Sequence, residues 1–352
     1  MRDFWKGKRV LVTGHTGFKG SWLSLWLQRL GAEIVGYALQ PPSQPNLFEM
    51  ARVAEGMSSF TGDIRDLSHL TAAMRGSGPR SCPHGCPSPG AALIPATGRD
   101  VFHQHHGTVN VLEAVRHVGG VKVMVIVTSD KCYENQEWVW GYRESEPMGG
   151  HDPYSSSKGC AELITSAYLR SFLSKSDYAR HGVALASARA GNVIGGGDWA
   201  QDRLIPDVMR AFLASRPVRI RYPQAIRPWQ HVLEPLAGYL VLCQRLWEAG
   251  PAYAEAWNFG PHDQDARFAA QVVARLSELW GDGAAWEPDD DPHPHEAHHL
   301  KLDCSKAITR LGWRSRWGLK QALEATVAWY RAYQEGLEMR DFTLSQVSTY
   351  ER

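Results

Sequence analysis

Apolar residues recur along this chain in two periods. Residues 9–13 (RVLVT) form a short β-branched run, followed by glycines and then by SWLSLWLQRLGAE, where Leu23, Trp26, Leu27 and Leu30 fall at helical spacing. This reads as strand, turn, helix, with Gly31 at the helix end. A second apolar run, IVGYAL, spans 34–39. A third, VKVMVIVTS (121–129), is continuous rather than alternating, as suits a parallel strand buried on both faces. Helical patterns at 108–117 and 156–172 and a further strand at 183–190 (VALASARA) complete the alternation expected of an α/β fold with a doubly wound parallel sheet. After Asn192 the texture changes: Gly195, Gly196, Gly197, Pro206, Pro217, Pro223 and Pro228 cut the chain into short pieces, where a smaller lobe begins.

The bulk properties narrow the function classes. With 352 residues the chain is long enough for one large α/β unit and a second lobe. Its formal net charge of +1 and its 21% charged residues provide no electrostatic footprint for nucleic acid or an anionic membrane, so small-molecule partners are expected. There is no run of 18 apolar residues, and the N-terminus lacks a signal-peptide pattern, so a cytoplasmic protein is expected. Cys82, Cys86, Cys132, Cys160, Cys243 and Cys304 read as reduced thiols.

The glycines after the first strand carry the first chemistry. Thr13-Gly14-His15-Thr16-Gly17-Phe18-Lys19-Gly20 places glycines at i, i+3 and i+6 between strand and helix. There Gly14 permits a tight turn, Gly17 admits a pyrophosphate to the backbone and Gly20 lets the helix pack closely, with the helix N-terminus facing the phosphates. A dinucleotide-binding domain is therefore expected over 1–190, with 231–257 returning to it, and a nucleotide-sugar lobe over 191–230 and 258–335. NAD enzymes carry an acid after the second strand, where this chain has Gln40, so NAD and NADP both stay open, with NAD preferred. Asp63 and Ile64 in TGDIRD are candidate adenine contacts; a surface-turn role for Asp63 is the competing reading.

The second piece of chemistry is Tyr154-Ser155-Ser156-Ser157-Lys158, whose i and i+4 side chains share a helix face. An ammonium beside the phenol stabilises a phenolate that can accept a proton from a sugar hydroxyl. Thr128-Ser129-Asp130-Lys131 closes the third apolar run at a carboxyl end, where open α/β sheets bind ligands.

At these residues, and in WVWGYRESEPMGG, RAGNVIGGGDWA, DRLIPD, RPWQHVLEPL, WNFGP and HPHEAHHLKLDCSKA, the sequence resembles the nucleotide-sugar 4,6-dehydratases. These are extended short-chain dehydrogenase/reductases with a Rossmann sheet, and the likeness is to the branch acting on CDP-D-glucose. It covers roughly 1–75 and 107–335. The Ser-Asp-Lys trio separates that branch from dTDP-glucose relatives, which carry a glutamate where Lys131 stands. The resemblance implies NAD as cofactor and CDP-D-glucose as substrate. It implies Tyr154 as base at the glucose 4-hydroxyl, supported by Ser129 and Lys158, with Lys131 removing the C5 proton and Asp130, kept protonated by burial, protonating the departing 6-hydroxyl. Asn192, Trp199, Arg203, Leu204, Arg227, His231, His295 and Glu296 are the candidate substrate contacts. A homodimer or dimer of dimers is implied, built on two helices per subunit, one of them 156–172. A non-catalytic nucleotide binder and an epimerase or dehydratase of another nucleotide sugar are the alternatives; Lys131 beside Asp130 argues against the epimerase.

One segment departs from the pattern. Residues 76–106 hold four prolines before Ala91 and show neither a buried-strand run nor a good helix, where the family has a strand, a cofactor loop and a helix start. Read one nucleotide later, degenerate codons for Gly90 through Gly107 permit V-R-R-S-Y-R-Q-P-V-E-T-F-S-T-N-I-M-G, a family-like text, so paired compensating indels are inferred. As printed, the proline-rich stretch is not expected to pair in mid-sheet. No metal is expected. Histidines separated by proline (His293, His295) seldom reach helical ligand spacing, and the Cys82 to Cys86 spacing matches no standard zinc site.

Overall fold

The computed structural model describes residues 2–77, 81–85, 98–289 and 300–352. Seven parallel strands form one sheet: β1 (Arg9–Thr13), β2 (Glu33–Ala38), β3 (Met57–Thr61), β4 (Ser81–Gly85), β5 (Val123–Val127), β6 (Ala184–Ala190) and β7 (Ala256–Phe259). Their spatial order is β7-β6-β5-β4-β1-β2-β3. The order reverses between β1 and β4, and a crevice therefore opens over the carboxyl ends of those strands. Every residue of β5 and β6 is buried, which is why both read as continuous apolar runs.

Helices cover both faces: α1 (Phe18–Arg29), α2 (Leu67–Ser77), α3 (Gly98–Val118), α4 (Pro153–Ser171), α5 (Leu204–Leu213), α6 (Leu233–Ala249), α7 (Ala269–Trp280), α8 (Leu319–Gln334) and α9 (Met339–Glu351). Helix α1 is buried on nearly every side from Ser21 to Leu27. Its Trp22 indole donates to the Gly196 carbonyl at 2.9 Å, and α9 closes over it through Glu351, which accepts from Trp26 Nε1 at 2.9 Å and from Arg29 Nε at 3.1 Å.

Two elements differ from the sequence expectation. Ser81–Gly85 does pair in mid-sheet, opposite residues 123–127 of β5 and with Val10 and Thr13 of β1. The ladder bonds backbone to backbone, and Pro83 removes one N–H while leaving its carbonyl and its neighbours able to pair. Helix α3 likewise starts at Gly98, ten residues before the apolar pattern at 108–117. The change of texture after Asn192 is real: the strands there are Val193–Ile194 beside Gln230–His231, Ile226–Pro228 beside Ala266–Phe268, and Val218–Ile220 beside Trp286–Pro288. Among the described residues no helix is long and apolar enough to cross a membrane.

Candidate active site

The glycine turn has the geometry its spacing implies. Gly14 adopts φ +70°, open to glycine at little cost. A Cβ on Gly20 would lie 2.1 Å from the Gly14 carbonyl oxygen, so only glycine lets α1 begin this close to β1. Gly17 caps α1 without a side-chain acceptor, and the first turn holds no acid. The leading amides therefore keep their positive potential for an anion, and the loop fits a dinucleotide pyrophosphate. His15 contributes backbone only, because its ring is buried and bonded to Ser59 Oγ at 2.7 Å, and burial pulls its pKa down to about 4. Asp63 pairs with Arg65, while Ile64 is buried against Gly107. Gln40 follows β2 and donates to Thr61 Oγ1 at 3.4 Å.

The catalytic candidates converge from two elements at the crevice. Beyond β5, Ser129 caps a single 3-10 turn, Asp130–Cys132; its hydroxyl accepts from Lys131 N at 3.3 Å and donates to Asp130 Oδ1 at 2.8 Å. This turn sends Asp130 inward and leaves Lys131 half-exposed. A Cβ on Gly191 would lie 2.8 Å from Asp130 Oδ2, so glycine makes room for the carboxyl. Burial raises the Asp130 pKa, and the Lys131 and Arg227 charges with the Ser129 hydrogen bond offset only part of that rise. Helix α4 starts at Pro153 behind Asp152, which accepts from Ser155 N at 2.9 Å. Tyr154 thus sits in the first turn with Lys158 one turn on, the buried ammonium 5.4 Å from the centre of the Tyr154 ring.

The raised Asp130 carboxyl has a measurable sign. Its contribution to stability is fully present in acid, below the ordinary carboxylate range, and is lost as pH rises through the raised value. Asp130→Asn, which never ionises, should therefore gain stability relative to the parent as pH rises. Urea unfolding of both proteins across the acid-to-alkaline range measures this, and a difference independent of pH would refute it.

A buried network missed by the sequence reading ties these elements together. Glu162, one turn beyond Lys158 on α4, accepts from Thr128 Oγ1 at 2.5 Å, Ser187 Oγ at 2.7 Å and Arg189 Nη2 at 2.8 Å. Arg189 Nη1 donates to Tyr133 Oη at 2.6 Å, which in turn donates to Asn258 Oδ1 at 2.8 Å. Strands β5, β6 and β7 and helix α4 are thus joined beneath the reactive side chains. An arginine inside the otherwise small and apolar ALASARA was the available signal.

The substrate candidates divide. Arg227 is buried close enough to act on Asp130, and Arg203 pairs with Asp198 at 3.1 Å and acts on Lys19. Asn192 is half-buried and its carbonyl accepts from Gln230 N at 3.1 Å; Leu204 opens α5. Trp199 is packed edge-on against Tyr330 and Tyr333, and the fully buried His231 ring lies between Trp22 and Trp317, its pKa pulled down to about 3 by burial. These two rings face the protein interior rather than an open cleft. His295 and Glu296 lie outside the described residues.

Comparison with known proteins matches this geometry. Residues 10–254 match the NAD dependent epimerase/dehydratase family. The CDP-glucose 4,6-dehydratase of Salmonella typhimurium is 53% identical over 350 residues, spanning 99% of this chain and 98% of its own. The dTDP-glucose 4,6-dehydratase of Streptomyces griseus is 28% identical over 240 residues, 66% of each chain. By shape, dTDP-glucose 4,6-dehydratase from Bacillus anthracis in complex with NAD superposes with a TM-score of 0.76 at 20% identity, covering 94% of this chain and 99% of that one. An epimerase from Methanothermobacter thermautotrophicus reaches 0.80 at 21% identity, covering 95% and 96%. These last two likenesses are of fold.

Proposed function

Because the chain belongs to the NAD dependent epimerase/dehydratase family, we propose that it is an NAD-dependent hydro-lyase converting CDP-D-glucose to CDP-4-keto-6-deoxy-D-glucose and water. The observation that carries this reading is the Ser129-Asp130-Lys131 turn, which places a buried carboxyl, its pKa raised by burial, beside an amine at the sheet's carboxyl edge.

Bound NAD supplies a hydride acceptor toward sugar C4 and, once reduced, a hydride donor toward C6. Tyr154 Oη takes the proton of the 4-hydroxyl, with the Lys158 ammonium next to its ring and the Ser129 hydroxyl near the same carboxyl edge. The resulting C4 ketone acidifies the C5 hydrogen, which Lys131 Nζ removes as a proton. Asp130, held protonated by burial, gives its proton to the departing 6-hydroxyl, which leaves as water. Lys131 returns the proton to C5, exchange with solvent releases the proton taken by Tyr154 and restores the one given by Asp130, and the overall reaction is a dehydration with no net redox change. Arg203, Arg227, Asn192 and Leu204 line the substrate side, and the guanidinium groups suit its diphosphate.

We assign residues 1–190 and 231–257 to dinucleotide binding and 191–230 and 258–335 to the nucleotide-sugar lobe. Exposed Leu163 on α4 and Phe172 at its C-terminal cap, with Arg116 of α3 stacked 3.8 Å over Phe172, support a homodimer through these two helices, the unit of a dimer of dimers. A cytoplasmic place in deoxysugar synthesis for O-antigen fits the substrate. We also infer a shifted reading frame for the 76–106 text, which resequencing of the gene tests.

The function is tested by incubating the protein with NAD and CDP-D-glucose and following the alkaline absorbance of the 4-keto product. Turnover of CDP-D-glucose should exceed that of dTDP-, UDP- and GDP-glucose. Faster turnover of any of these three would overturn the substrate assignment.

A further inference from the structure

One buried ion pair grips the catalytic turn from both ends. After Thr128, whose N–H donates to the Ala188 carbonyl at 2.9 Å, the chain leaves the sheet and carries Ser129, Asp130 and Lys131 through a single 3-10 turn. Thr128, just before the trio, donates its hydroxyl to Glu162 Oε1 at 2.5 Å. Tyr133, two residues after it, accepts at Oη from Arg189 Nη1 at 2.6 Å. Glu162 and Arg189 pair with each other at 2.8 Å, so the carboxylate holds the entry to the turn and the guanidinium holds its exit. Thr128 and Tyr133 are both buried, and these bonds span 34 and 56 residues of chain. Glu162 stands on α4, one turn past Lys158 and two past Tyr154. A Cβ on Gly159 would lie 3.3 Å from the Cys132 carbonyl oxygen, so the helix runs close against the turn.

We propose that Thr128 and Tyr133 are positioning residues, through which the Glu162–Arg189 pair fixes Asp130 and Lys131 relative to Tyr154 and Lys158. The inference rests on the function proposed above. That reaction treats one bound sugar with two sets of groups on two elements: Tyr154 and Lys158 of α4 at C4, Asp130 and Lys131 of the turn at C5 and C6. A sugar seated for the first step is ready for the second only if the offset between helix and turn is fixed, and a misplacement of about 1 Å can cost on the order of 100-fold in rate. Both hydroxyls are committed to the ion pair, so they act through the turn and not on the sugar. Loosening either end shifts Asp130 and Lys131 while Tyr154 and Lys158 keep their places on α4. Elimination should therefore suffer and C4 oxidation be largely spared.

Thr128→Val and Tyr133→Phe each delete one hydroxyl and leave the ion pair in place. Each should lower kcat by about 10- to 100-fold with KM within about twofold of the parent. Reduced-nicotinamide absorbance should build up when CDP-D-glucose is added to either NAD-loaded variant. Thr128→Ser keeps the hydroxyl and should hold kcat within about threefold of the parent. A purely structural role would lower the unfolding midpoint but leave kcat of the folded protein unchanged and produce no such absorbance. The turn can also be followed without turnover, because the Lys131, Cys132 and Tyr133 amides bond within it. Their hydrogen exchange should quicken by about tenfold or more in both variants, with exchange along α4 as in the parent. Parent-like kcat in both folded variants, or unchanged exchange at the turn, overturns the inference. A parent that does not turn over CDP-D-glucose fails the functional reading instead, and the exchange comparison still decides whether the two hydroxyls hold the turn.

Discussion

Lys131→Ala is expected to lower formation of CDP-4-keto-6-deoxy-D-glucose by about 10²- to 10⁴-fold, the usual weight of a positioned general base. Lys131 is half-exposed in the middle of a capped turn, and its truncation leaves the Ser129 to Asp130 hydrogen bond in place. The proton at the 4-hydroxyl is handled by Tyr154 on another element. The variant should therefore still oxidise C4, and reduced-nicotinamide absorbance should build up when CDP-D-glucose is added to the NAD-loaded protein. Unimpaired product formation would remove Lys131 from the mechanism. Loss of both product and that absorbance would mean that it serves C4 oxidation instead.

Arg189→Met should cost about 3–5 kcal/mol of folding stability, because it strands the Glu162 carboxylate in the interior without its cation. Both side chains are only 4% exposed, so solvent screening does not soften the loss. Burial pushes the Glu162 pKa up, but the Arg189 charge and the hydrogen bonds from Arg189, Thr128 and Ser187 outweigh it and hold the value below the usual range. A depressed carboxylate contributes stability above its unfolded pKa and loses it as pH falls through the folded one. The cost of Arg189→Met should therefore be largest near neutrality and shrink in acid. Glu162→Gln keeps a single acceptor oxygen for the Thr128, Ser187 and Arg189 donors and leaves the buried guanidinium without a counter-charge, so it should cost a comparable amount. Urea unfolding at neutral and acid pH reads both variants, and an Arg189→Met protein as stable as its parent would show that the pair does not hold the strand ends together.

What could be read from the sequence follows burial. β1, β5 and β6 lie inside the sheet, and their apolar runs identified them almost to the residue. β3 lies at the edge, four of its five residues exposed, and so carries no hydrophobic signature. β4 escaped notice for another reason: its text contains proline and polar residues, and what holds it is the unpaired backbone of its two neighbours. Of the site, Gly14, Gly17 and Gly20 and the Tyr154 and Lys158 pair could be found by spacing, because each depends on residues close in sequence. Glu162 with Arg189 and Lys19 with Tyr239 join positions 27 and 220 residues apart, and no local pattern marks such partners. Trp199 and His231 were read as contacts from their chemistry, and their place among Tyr330 and Trp317 comes from residues far off in sequence.

The closure of α9 over α1 sets an order of events during synthesis. Glu351 is made 325 residues after Trp26, so the helix presenting the cofactor loop leaves the ribosome long before its cover exists. Until then Trp26 lacks its α9 partner, and transiently uncovered apolar surface of this kind is what makes partly made chains prone to association.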